Sequence, residues 1–105
     1  MNQIVSERIL LFRSPNGNEF ASSITIGMPE KVSDLEWKCG VEIRQVDKLR
    51  FAHGIDSLQA LVGALSLAQS ILVVRVKKGW QIFWPDDKRP TTPEEIFGFD
   101  FNHLK

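Results

Sequence analysis

At 105 residues and 43% hydrophobic content, the chain is long enough to bury one core and too short for a second independent domain. Thirteen Lys and Arg balance thirteen Asp and Glu, and the signs are interleaved, so the positive field that a nucleic-acid partner requires is missing. The single cysteine, Cys39, excludes an intrachain disulfide and suits a reducing cytoplasm; a zinc site would need His53, His103 and carboxylates that lack ligand spacing, so neither metal nor cofactor is expected.

The opening run MNQIVSERILLF carries Glu7 and Arg8 and has no basic n-region or small-residue cleavage site, so it reads as a strand and not as a signal peptide. Residues 3–13 end at Ser14-Pro15-Asn16-Gly17, whose Pro and Asn-Gly supply the dihedrals of a tight reversal. Phe20, Ser22, Ile24, Ile26 and Met28 then alternate with Glu19, Ala21, Ser23 and Thr25, the period of a half-buried strand. Met28–Asp34, with Pro29, reads as a connection. Leu35, Trp37, Cys39, Val41 and Ile43 alternate with Glu36, Lys38, Gly40, Glu42 and Arg44, which sorts apolar and charged side chains onto opposite faces. Asp47-Lys48 allows a reversal into Leu49–Ala52. The result is a four-stranded antiparallel meander over 3–53, with a wet face of Glu36, Lys38, Glu42, Arg44 and Arg50.

At Gly54-Ile55-Asp56-Ser57-Leu58-Gln59 the period changes to 3.6. Asp56 is placed to cap a helix and Gln59, three residues on, to reach back to the Asp56 amide. Leu58, Leu61, Val62, Leu65, Ala68 and Leu72 form a stripe for the sheet, and Ala60, Ala64, Leu67, Ile71 and Val74 form a second apolar stripe on the other side. That second stripe needs a cover, either the segment 80–105 or another copy of the chain approached through small Ala60, Gly63 and Ala64. Leu58–Val76 is interrupted by Gln59, Gly63, Ser66, Gln69, Ser70 and Arg75, which reads as a buried helix and not as a membrane span. ILVVRV at 71–76 suits either the end of this helix or the first strand of a hairpin with WQIFW; Lys77-Lys78-Gly79 has the cations and glycine of a helix end, which favours a helix over 56–77.

Trp80–Trp84 reads as a fifth strand closed by Pro85-Asp86-Asp87, a solvated turn. Thr92-Pro93-Glu94-Glu95 marks a short helix with a second capping box. The tail FGFDFNHLK, rich in Phe, is expected to dock on the domain. The whole is a single α+β domain: a four-stranded meander on one long apolar helix, with an extra strand and a short C-terminal helix.

Few residues suggest chemistry. His53, Asp56 and Cys39 are the one set resembling a nucleophile with its base, but Asp56 is explained as a cap and Cys39 lies on the apolar strand face. Trp80, Ile82 and Trp84 share a strand face, which reads as core or, since aromatics anchor interfaces, as a partner-facing patch. Phosphate loops, HExxH and GxSxG are absent.

The run W-x-C-G-x-E-I at Trp37–Ile43, followed by G-I-D-S-L-Q-A-L at Gly54–Leu61, resembles a family of small uncharacterised bacterial domains over residues 5–84. That resemblance implies a bacterial cytoplasmic protein and carries no activity; the size and build are also similar to immunity proteins of toxin systems. The expected role is therefore noncatalytic protein binding, of immunity or adaptor type, through Trp80, Trp84, Leu67, Ile71, Arg44 and Glu42, with no membrane and no nucleic acid as partner. Two alternatives stand beside it: a small enzyme or ligand-binding domain using a pocket between the helix and the C-terminal segment near His53, with Cys39, and a structural homodimer.

Overall fold

A computed structural model describes residues 3–101. In chain order these form β1 (Ile4–Arg13), β2 (Glu19–Gly27), β3 (Glu30–Ser33), β4 (Glu36–Ile43), β5 (Asp47–Gly54), α1 (Ser57–Lys77), β6 (Gln81–Phe83), β7 (Pro90–Thr91) and α2 (Pro93–Phe97). All seven strands join one antiparallel sheet, ordered β5, β4, then β2 and β3 end to end, β1, β6 and β7. The meander is present, but the sheet exceeds the four strands expected.

The first extra strand comes from the segment read as a connection. Ile26 pairs with Val41 and Glu30 with Lys38, so three residues, 27–29, stand opposite two, Cys39 and Gly40. That is a bulge: Pro29 cannot donate to the ladder, the chain skips one register position, and pairing with β4 resumes. The bulge also ends the alternation begun at Phe20, so Met28 is exposed where Ile24 and Ile26 are buried.

Successive antiparallel pairings from β5 through β4, β2 and β1 to β6 leave β5 and β6 parallel, with α1 as the crossover between them. Asp56 caps α1 by accepting the Gln59 amide at 2.8 Å. Gln59 Oε1 reaches back one residue further than expected, to the Ile55 amide at 2.8 Å. The far end closes with the Trp80 amide donating to the Arg75 carbonyl and the Gly79 amide to that of Val76, while Gly79 takes a φ of +99°. This Schellman arrangement satisfies the last carbonyls, so 71–76 is helix and not hairpin.

The sheet-facing row of α1 differs from the one expected. Ala60, Ala64, Ala68 and Leu72 are fully buried, whereas Leu58 and Val62 are exposed. The distance to β5 selects this row: a Cβ on Gly63 would lie 3.2 Å from the Ala52 Cβ, and one on Gly54 only 2.7 Å from the Ala60 nitrogen. Only small residues fit between helix and strand, so Ala60, Gly63 and Ala64 are used against the chain's own sheet. Leu10, Phe12, Ile24, Ile26, Cys39, Val41, Ile43 and Ile82 complete the core from the strands.

The C-terminal segment covers one flank of α1. Gln69, fully buried in the middle of the helix, donates to the carbonyls of Pro93 (3.3 Å) and Phe99 (2.6 Å) and accepts the Phe101 amide (2.7 Å). The tail is docked as far as Phe101; residues 102–105 lie outside the described residues. Thr92 caps α2 by accepting the Glu95 amide at 3.1 Å. The Glu95 carboxylate does not close a capping box: it accepts from the Thr91 hydroxyl (2.6 Å) and the Trp84 indole (3.2 Å). Glu19 anchors the 84–89 turn through Lys88 at 2.6 Å.

These carboxylates set an acid limit on the docked segment. Lys88 and Arg13 hold Glu19 below the ordinary value of 4.5, and hydrogen bonds from Thr91 and Trp84 do the same for Glu95. A depressed folded pKa contributes stability that is complete above the ordinary value and lost as pH falls through the folded one. Tryptophan emission is therefore expected to hold between pH 7 and pH 5 and to change below the ordinary 4.5 as Glu95 protonates and its contact with the Trp84 indole weakens. A change already complete at pH 5 would show that other groups hold the segment.

Candidate functional site

Because both helices pack on one side of the sheet, the opposite face is left uncovered. Register places Glu7, Thr25 and Glu42 side by side across β1, β2 and β4, with Ile9 beside Ser23 one step along. These residues floor a trough of about 740 Å³, bordered by Ile4, Leu49 and Arg44. Ile4 and Ile9 are more than half exposed, at 57% and 55%, and lie in the same trough with Leu49, so their apolar surface falls in one depression. Between them the polar groups bond one another: Thr25 Oγ1 donates to Glu7 at 3.4 Å and lies 3.3 Å from the Ser23 hydroxyl. No histidine, lysine or cysteine lines the trough. Further along the same face Lys38 lies over the Phe51 ring at 4.7 Å.

Glu42 and Arg44 thus fall together, as the sequence suggested, but Arg50 leaves that group. It pairs with Val41, which puts it on the helix side, where it binds Asp47 through two contacts, one of 3.1 Å. Arg75 reaches the same carboxylate at 3.2 Å. The hydrogen bond and charge of Arg50, then the Lys48 amide and the charge of Arg75, hold the Asp47 carboxyl below its usual range. The irregularity in register between Val41 and Ile43 redirects this end of β5, and alternation alone could not have located it.

Leu67 and Ile71 come together with Val74 in a second depression of about 310 Å³ between α1 and β5, rimmed by Asp47, Arg50, Arg75 and Lys78. The aromatic candidates are occupied differently. Trp80 packs edge-on against Phe20 at 6.1 Å, and the guanidinium groups of Arg8 (5.3 Å) and Arg89 (5.9 Å) both lie over the Trp84 ring while its indole donates to Glu95. Both belong to the docking of the C-terminal segment.

Cys39 and His53 are on opposite faces of the sheet. Cys39 is fully buried and donates its thiol to the Gly27 carbonyl at 3.1 Å, at the interruption in the β2–β4 ladder. His53 pairs with Lys38 on the outer face and binds Glu36 at 3.1 Å. A thiolate with its histidine base is therefore not formed. Burial pushes the Cys39 thiol above its ordinary value, so it is expected to stay unreactive toward Ellman's reagent in the native protein and to react fully in guanidinium. Rapid native labelling would contradict this placement.

A pocket of about 230 Å³ lies between α1, α2 and the sheet, lined by Ser6, Glu7, Arg8, Ile24, Ile26, Leu65, Ile96 and Phe97. His53 does not reach it. Among the described residues no three His, Cys, Asp or Glu side chains cluster as a metal site requires, and His103 lies outside them. Gln69 was missed as a structural residue. The signal was its place as an amide within the apolar run of α1, between Ala68 and Ser70.

The fold and its surfaces define a small α+β domain with one sheet face open and one flank of its long helix grooved. The chain belongs to the family DUF6968, a domain of unknown function, whose model matches residues 6–93. No curated protein and no solved structure matches it.

Proposed function

We infer that this is a noncatalytic protein-binding domain acting through the open sheet face. The carrying observation is the pair of half-exposed isoleucines, Ile4 and Ile9, which flank Glu7 and Glu42 in a trough on the side of the sheet away from both helices. Exposed apolar side chains beside hydrogen-bonding groups offer both kinds of contact from which interfaces are built, and desolvating Ile9 and Leu49 would supply the affinity. Carboxylates at the centre and Arg44 at the border suit a partner that presents a basic residue between apolar ones. An adaptor or immunity role in the cytoplasm is the finer form of this reading, supported by size and build.

Affinity purification of the tagged full chain from the cells that encode it, with Ile9→Asp and Glu42→Lys variants alongside, tests the reading. The expected result is one stoichiometric partner retained by the natural chain and lost from both folded variants. Retention by both variants, or no partner at all, would overturn it. For the immunity form, that partner should be a toxin encoded by a neighbouring gene.

A further inference from the structure

β5 is the one long strand, among the described residues, whose second edge pairs with no other strand. Over residues 50–54, where its pairing with β4 is regular, this edge presents every second N–H and C=O outward, ready to pair with another extended chain. Directly beside it runs the groove floored by Leu67, Ile71 and Val74, so the free edge and an apolar slot lie together. Val74 is 47% exposed at its lip. Three cations, Arg50, Arg75 and Lys78, rim the slot against a single carboxylate, Asp47, and Asp47 is already shared by both arginines. A strand entering here would exchange backbone bonds with β5 while alternate side chains point toward α1.

We propose that an extended acidic segment of a partner protein adds to β5 as a further strand, with its inward apolar side chains over Ile71 and Val74 and a carboxylate between Arg75 and Lys78. A second copy of this chain matches the charge of the site less well, because β5 would bring Lys48 and Arg50 with the one carboxylate Asp47 to a rim that is already cationic. The surface is on the other side of the sheet from the trough that carries the proposed function, and the two stand or fall separately.

The test is selection of displayed random octapeptides on the immobilised full chain, followed by fluorescence anisotropy of the synthesised winners. Enrichment of apolar residues at alternate positions with an Asp or Glu is expected, with affinity weakening as salt rises. Val74→Glu and Lys78→Glu, both exposed positions, should each weaken binding by about tenfold with an unchanged circular dichroism spectrum. Amide shifts on binding should concentrate in 47–54 and 67–78. Winners without that pattern, winners that bind as helices, shifts confined to Ile9 and Glu42, or dimerisation through β5 in their place would each overturn the proposal.

Discussion

Replacing Gln69 by alanine is expected to release the C-terminal segment and to cost about 4 kcal/mol, among the larger effects a single substitution has in a domain of this size. The side chain makes three hydrogen bonds to main-chain groups 24 to 32 residues away, and it is fully buried. Truncation leaves the Pro93 and Phe99 carbonyls and the Phe101 amide without that partner, each worth about 1–3 kcal/mol when desolvated, and opens a cavity besides. Undocking the segment limits the loss, because water then satisfies those groups at the expense of exposing Ile96 and Phe97. Limited proteolysis should therefore cut the variant after Trp84 while α1 and the meander resist. Gln69→Glu separates hydrogen bonding from volume. It keeps the acceptor for Phe101 but turns a carboxylate toward two carbonyls, so it should be at least as damaging at neutral pH and partly recover in mild acid, as its carboxyl protonates. A variant as stable as the natural chain would show that the segment is held by its apolar contacts alone.

Gly54→Ala is expected to be nearly as severe for a different reason. The added methyl would stand 2.7 Å from the Ala60 nitrogen and 2.9 Å from the Gln59 carbonyl carbon, both main-chain atoms in the first turns of α1. Neither can rotate away, so the helix must lift from β5 and open the row of Ala60, Ala64 and Ala68. Overpacking of this kind costs about 3 kcal/mol, which lowers Tm by roughly 10–20 °C in a domain of this length. Thermal unfolding measures it directly. Gly63→Ala, whose methyl meets only the Ala52 methyl at 3.2 Å, should lose less. A reversed order would mean that the helix start yields more easily than its middle.

These two glycines and the glutamine mark where sequence reading reached its limit. Alternation in β4 and the Asp56 cap were legible because each follows from local geometry: period two sorts a strand's faces, and a cap satisfies amides within one turn. The sheet-facing side of α1 was not, because periodicity ranks leucine above alanine as a core residue, whereas the close approach of β5 selects the smaller side chain. β3 was hidden by Pro29, whose missing donor reads as a break although a bulge absorbs it. On the candidate surfaces, Glu42 with Arg44 and Leu67 with Ile71 were legible as pairs from their elements. The separation of Cys39 from His53 depended on the β4–β5 register, and the recruitment of Arg50 to Asp47 on the irregularity within it. Both are tertiary facts with no local signature.

The position of β1 in the middle of the sheet bears on how the chain is made. β1 leaves the ribosome before the other strands of this domain and gains β2 on one side almost at once, but its other neighbour, β6, is encoded far downstream: Arg13 meets Gln81 across 68 residues. At translation speeds of about 5–20 residues per second, that edge of Leu11–Arg13 stays open for roughly 3–14 s. For that interval the nascent meander has an unpaired edge beside Leu10 and Phe12, still without the strand and C-terminal segment that complete the core there. A chain truncated before Gln81 is thus expected to be sticky although its meander is intact. Factors that hold extended segments during synthesis would find their target at the earliest of the seven strands described and not at the latest.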